Sequence, residues 1–391
     1  MDVIQMKASA DVGNSSTKVI TVEGVTKKAR KQPSVISYLP VVPQFEDEEV
    51  ETLVANLHKN MVVHVTSKSI SQNGLFAVGD IANNFGGDGF NIKRHKKAEH
   101  DMTIIQPLAM IATTAVQNAY TQTNEVPESI SIELEYVTAI PVVDYSKANA
   151  KALEERITGN HILVLYVGEE LKVQVTINIV AAKVVQEGIP AFYAIAEHSP
   201  AKGKPSMFEK YNELYEVKFT GSDFTKRKIL FVDIGDGTTE LITVVDGKPV
   251  VTKSEGARCG VGHASEKALK AFKDKYKFNV ELTRSTFMEK VLNENDKWHK
   301  EADNELKLAI HEQENKVFDA VTEVIENTLL NDVDDIVVFG GATNVFANLE
   351  KRLVDYADQY KMRVLWIDGK EASLLNAIGL DELNNKVFFK K

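Results

Sequence analysis

Two short stretches of this sequence hold residue types that suit phosphate chemistry. The first is Asp11-Val12-Gly13-Asn14-Ser15-Ser16-Thr17-Lys18, a glycine-bearing turn between two β-rich runs. Glycine lets backbone approach a ligand closely or take positive φ. Consecutive N–H groups with Ser and Thr hydroxyls beside them form an anion-binding concavity. Lys18 adds a cation on a flexible stem. Asp11 would repel phosphate directly, but suits Mg²⁺ held through its waters, because that ion dehydrates reluctantly.

The second stretch, Asp233-Ile234-Gly235-Asp236-Gly237-Thr238-Thr239, repeats these parts. Either turn alone is ordinary hairpin chemistry. Their recurrence in corresponding places, residues 7–22 and 228–246, indicates an internal duplication. Two such hairpins facing each other would hold a polyphosphate, with Mg²⁺ between Asp11 and Asp233. A third element is Val337-Val338-Phe339-Gly340-Gly341-Ala342, an apolar strand entering a Gly-Gly turn where a flat nucleoside could lie on bare backbone.

The elements that must position these residues are legible from periodicity. Strands are expected at 34–39, 61–66, 75–79, 130–140, 161–167, 171–180, 229–234, 240–245, 335–339 and 363–367. Helices are expected at 103–120, 145–157 with Asp144 as N-cap, 344–360 and 372–383, and 262–330 reads as mostly helical. Pro141 is a plausible mark between halves. Two α/β halves imply two lobes with a cleft between them.

In order and type, these three elements resemble the phosphate-1, phosphate-2 and adenosine motifs of the actin-like ATPase superfamily. The resemblance implies an α/β, two-lobed actin-like (ribonuclease-H-like, duplicated) ATPase fold with a nucleotide cleft between lobes. Residues 1–140 plus 371–391 would form the first lobe, with an insertion at about 33–100. Residues 141–370 would form the second, with a helical subdomain at about 263–315. The stretch from Ala372 to Leu380 resembles the family's closing helix, which returns to the first lobe.

Two segments are similar to ParM-type plasmid-segregating actins: Gln186-Glu187-Gly188-Ile189-Pro190-Ala191 and Phe76-Ala77-Val78-Gly79-Asp80-Ile81-Ala82. The resemblance gives Glu187 the task of positioning the attacking water, with Gln186 as rival, because actin itself uses glutamine. It implies nucleotide contacts from Gly13, Asn14, Ser15, Ser16 and Lys18, from Gly235, Gly237, Thr238 and Thr239, and from Gly340, Gly341 and Ala342. Asp11 and Asp233 would hold Mg²⁺ through water. Gly260 and Gly262 would open a helix whose N-terminus faces phosphate. Asp236 departs from the pattern, since glycine is usual there. It must point outward or help hold the metal.

The implied function is binding and hydrolysis of ATP, or GTP, with Mg²⁺, driving filaments of this chain. These would segregate plasmid DNA through an adaptor bound to a centromere-like site. The alternatives are a non-plasmid bacterial or phage actin for positioning, and a sugar- or acetate-kinase-like phosphotransferase. A chaperone-type ATPase is disfavoured because little sequence follows the closing helix before Lys391.

Composition agrees. The net charge of −10, from 46 basic and 56 acidic residues, argues against direct DNA binding by the whole surface. The basic run 91–97 reads as a solvated loop or subunit contact. A single cysteine, Cys259, rules out an intramolecular disulfide and a cysteine-based zinc site. Arg258 beside it could lower its pKa, although a buried core cysteine is the commoner case. No signal peptide or apolar run of about 18 residues is present, so no membrane association is expected and the location reads as cytoplasmic. No Gly-x-x-x-x-Gly-Lys-[Ser/Thr] P-loop occurs.

Overall fold

Alternating apolar residues build the first sheet. In β1 (Ile4–Val12), Met6, Ala8, Ala10 and Val12 are buried on one face. A computed structural model describes residues 3–89, 97–199, 206–277 and 282–390. The basic run expected at 91–97 falls almost wholly outside the described residues. The chain divides into two compact units, Met1–Tyr193 with Asn376–Lys391, and Ala194–Leu375.

In the first unit, β2 (Ser16–Glu23), β3 (Thr26–Pro33), β4 (Val35–Leu39), β5 (Met61–Ser67), β6 (Gly74–Val78), β7 (Asp88–Gly89), β8 (Ser129–Ile140), β9 (Gly159–Tyr166) and β10 (Lys172–Gln186) join β1. They form a ten-stranded sheet in the order β3-β2-β1-β8-β10-β9-β5-β6-β4-β7. Helices α1 (Val50–Asn56), α2 (Met102–Thr123), α3 (Lys147–Ile157) and α4 (Ile189–Ala196) accompany the sheet, α4 running past the unit's boundary. The segment expected as an insertion, 33–100, extends this same sheet, because β5 pairs with β9. Ser146, rather than Asp144, caps α3, its side chain accepting from the Asn149 N–H.

The chain does not leave the first unit at Pro141. β10 pairs in parallel with β8, and parallel neighbours need a crossover, here α3. The antiparallel partner β9 comes with it, so residues 141–193 stay in the first unit.

The sheet order ends on β3, which bears Lys27, Lys28, Arg30 and Lys31. Lys31 lies directly across from Lys18, itself opposite Asp11. Burial and the Lys18 charge hold the Lys31 ammonium below its usual pKa.

The second unit contains β11 (Lys228–Ile234), β12 (Thr239–Val245), β13 (Lys248–Pro249), β14 (Glu255–Ala257), β15 (Asp335–Phe339) and β16 (Arg363–Trp366). Its helices are α5 (Glu209–Leu214), α6 (Gly221–Phe224), α7 (Val261–Tyr276), α8 (Arg284–Leu292), α9 (His299–Glu323), α10 (Ala347–Gln359) and the start of α11 (Gly369–Leu383). The strand order is β13-β12-β11-β15-β16, with β14 on β12. In both units an antiparallel hairpin adjoins two parallel strands: β2-β1-β8-β10 in one, β12-β11-β15-β16 in the other. The duplication expected from the turns therefore extends to strand order.

Wholly buried Asp335 opens β15 and accepts from Tyr211 Oη and Arg227 Nε. Burial raises its pKa, and these two donors stabilise the carboxylate. Asn376–Lys391 belongs to the first unit, where buried Asn384 donates to Ala8 O at 2.9 Å. Within that unit, Gly379 of α11 lies so close to Pro190 of α4 that a Cβ would sit 1.7 Å from the Pro190 carbonyl oxygen.

Candidate functional site

The residues singled out by the sequence collect at the carboxyl ends of parallel strands, where open α/β sheets bind ligands. In the first unit these are the ends of β1, β8 and β10, which carry Asp11, Ile140 and Gln186. In the second they are the ends of β11 and β15, which carry Asp233 and Phe339.

The two hairpins close in the same way. Gly13 N–H donates to Ser16 O at 3.1 Å, and Gly235 N–H donates to Thr238 O at 2.9 Å. A Cβ at Gly13 would meet Ser16 O at 2.8 Å, and one at Gly235 would meet Thr238 O at 3.0 Å. Neither glycine is among those with positive φ. The hairpin's own carbonyl, not left-handed backbone, is what favours glycine at both places, more strongly at Gly13 than at Gly235.

Around the first turn, Ser16 and Thr17 are buried, while Ser15 is exposed. Lys18 Nζ donates to Asp11 Oδ2 at 2.9 Å, so these two residues meet each other, and Asp11 is buried. Ser34, which the sequence reading did not select, braces the turn. Its hydroxyl donates to Gly13 O at 2.6 Å and lies 2.9 Å from the Thr17 hydroxyl. Thr138 likewise donates to Ala10 O at 2.8 Å. No local pattern distinguished either residue.

Glu187 follows β10 directly. Its N–H donates to Ile140 O at 2.8 Å, and the residue is 6% exposed. Gln186 is 1% exposed, and neither atom of its side-chain amide has a partner among the described residues. Both candidates thus lie at the same strand end, and both are buried.

In the second unit, Asp236 is paired with a cation. Its Oδ2 accepts from Arg284 Nη1 at 2.7 Å. Its carbonyl accepts from Gly262 N–H at 2.7 Å, and Gly235 O accepts from Val261 N–H at 3.3 Å. Two of the four orphan amides at the start of α7 are therefore taken by the turn. Gly260 and Gly262, expected at the opening of this helix, also permit close packing: a Cβ at Gly260 would meet Gly235 O at 2.6 Å, and one at Gly262 would meet Asp236 O at 2.7 Å. Thr239 donates to Cys259 O at 2.9 Å, and His263 Nε2 donates to Gly237 O at 3.0 Å.

Gly340 has φ +111°, and a Cβ there would fall 2.6 Å from Asp233 Oδ1. Ala342 N–H donates to Ile234 O at 3.1 Å, tying the Gly-Gly turn to the end of β11. A Cβ on Gly341 would meet nothing within 4 Å, so this backbone borders open space. Asp233, Gly235, Gly340 and Gly341 are therefore gathered in one unit. Within that unit, the bare backbone at Gly341 stands next to the turn tied to the end of β11.

Cys259 is not activated. It is 3% exposed, and burial pushes its thiol pKa up. Alkylation by iodoacetamide is expected to be roughly 100-fold or more slower in the folded protein than in urea. Mass-spectrometric labelling would check this, and equal rates would mean that the thiol is reachable.

Residues 9–189 match the actin-like protein N-terminal domain family. No curated protein sequence matches the chain significantly. Among solved structures, the actin-like protein Alp7A superposes with TM-score 0.65 at 16% identity, over 98% of this chain and 96% of that one. Bacillus thuringiensis ParM with AMPPNP gives 0.62 at 16% identity, over 97% and 98%. The archaeal actin homologue Ta0583 gives 0.61 at 15% identity, over 96% and 98%. The chain has the actin-like fold, built as two α/β units. Within that class it resembles the ParM-type bacterial actins. Among the described residues, no helix is long and apolar enough to cross a membrane.

Proposed function

We propose that this chain is a nucleotide-driven, filament-forming ATPase of the bacterial-actin kind. The observation that carries the reading is the pair of hairpin turns closed by the same bond at strand ends of two similarly ordered sheets. The likeness to ParM solved with ATP and with AMPPNP supports it. The turns at Gly13–Ser16 and Gly235–Thr238 bind the phosphates of ATP, and the Gly340-Gly341 backbone takes the nucleoside. Asp11 and Asp233 would hold Mg²⁺, which would supply neutralisation of the phosphate charge. Glu187 orients the attacking water or accepts its proton. Hydrolysis weakens the contacts that ATP favours, so assembly is timed by turnover. The filaments move plasmid DNA through an adaptor protein, and the protein works in the cytoplasm.

The test is sedimentation and light scattering with Mg-ATP, Mg-GTP, Mg-ADP and no nucleotide. Assembly should require a triphosphate and decay as phosphate is released. A chain that binds ATP yet never pellets across a wide concentration range would overturn the filament reading. Phosphate transfer to an added sugar or acetate would favour a kinase instead.

A further inference from the structure

Asp236 presents a problem for any phosphate site, because a carboxylate in the turn repels the ligand. Its side chain is 10% exposed and meets the 27%-exposed Arg284 side chain at 2.7 Å. Both partners are held in place. The Asp236 carbonyl accepts from Gly262 N–H. Arg284 is the first residue of α8, whose N-cap Thr283 accepts from Thr286 N–H at 3.2 Å. The positive end of α8 therefore also lies on the Arg284 side of the pair. Space for the pair comes from a missing side chain: a Cβ on Gly262 would sit 2.5 Å from Arg284 Nη1 and 2.6 Å from Asp236 Oδ2. Arg284 lies 48 residues after Asp236 and reaches the turn from another element.

We infer that Arg284 is a positioning residue that makes this turn competent for phosphate by masking the Asp236 charge. The inference rests on the nucleotide-binding reading above. Arg284 acts through Asp236, so its removal should matter only while the carboxylate is present. The penalty should grow with the number of phosphates on the ligand, because the repulsion is between charges.

The test is binding of fluorescently labelled ATP, ADP and AMP to the full chain and to Arg284→Ala, Asp236→Asn and the double variant, with a thermal melt of each. Arg284→Ala should weaken ATP roughly tenfold or more, ADP less and AMP least. With Asp236→Asn as the background, removing Arg284 should cost ATP affinity less than about threefold. In the double variant, ATP affinity should return to within about threefold of the parent. High salt should narrow the Arg284→Ala defect.

Equal loss for ATP and AMP, or a double variant as weak as Arg284→Ala, would overturn the inference. It would assign Arg284 a structural role or a direct contact with phosphate. If Arg284→Ala melts early, Arg284→Gln provides the same charge removal with more of the side chain retained. Failure of the parent chain to bind ATP or ADP would sink the nucleotide reading itself, and the inference with it.

Discussion

Gly379→Ala is expected to destabilise the first unit by about 3 kcal/mol or more, at the upper end of overpacking costs. At an open helical position the same change would stabilise by up to about 1 kcal/mol, since glycine is a poor helix former. The sign reverses because the added methyl would lie 1.7 Å from Pro190 O and 2.2 Å from Pro190 C. Those are backbone atoms, which cannot rotate away as a side-chain tip can. Either α11 or the start of α4 must move. Pro190 is three residues beyond Glu187, so the shift reaches the end of β10 as well. A urea titration would check the magnitude, and an unchanged midpoint would mean that the two helices separate without cost.

Glu187→Ala is expected to slow phosphate release by about 10²-fold or more while ATP binding persists, the usual scale for losing a positioned base. The residue stands at the end of a parallel strand, is 6% exposed, and is fixed through its N–H to Ile140 O. Gln186 is the competitor, being more buried and with an amide that meets no partner among the described residues. An unsatisfied amide of this kind costs about 1–3 kcal/mol unless a water or ligand fills the need. Measuring both variants separates the roles. Full turnover in Glu187→Ala with loss in Gln186→Ala would move the role to the glutamine. Unequal losses with unchanged melting temperatures would rank the two.

Much of this molecule could be read from residue order alone. Strands such as β1, β8 and β15 carry strong apolar patterns, and their ends hold the glycine turns. β3 escaped notice because Thr-Lys-Lys-Ala-Arg-Lys-Gln-Pro has no apolar alternation; it is a strand through its register with β2. Pro141 suggested a break, but parallel pairing of β8 with β10 outweighs one punctuating residue. Of the two uses expected of glycine in the turns, positive φ is not met at Gly13 or Gly235. A neighbouring carbonyl at hairpin distance is a tertiary fact, not a propensity. Asp236 was conspicuous as an acid in a phosphate-type turn. Its resolution by Arg284 was not legible, because nothing in local sequence joins residues so far apart.

The basic strand at the margin of the large sheet has a consequence for how copies of this chain associate. A bare strand edge offers N–H and C=O groups to any passing strand and is a ready template for runaway growth. Lys27 is paired with Asp381 at 2.6 Å, but Lys28, Arg30 and Lys31 make self-templating there electrostatically unfavourable, because a second copy would bring the same cations. This repulsion disfavours pairing of two copies through this edge. It also makes the protection conditional on ionic strength: concentrated salt shortens the range of the repulsion and removes the guard from this edge.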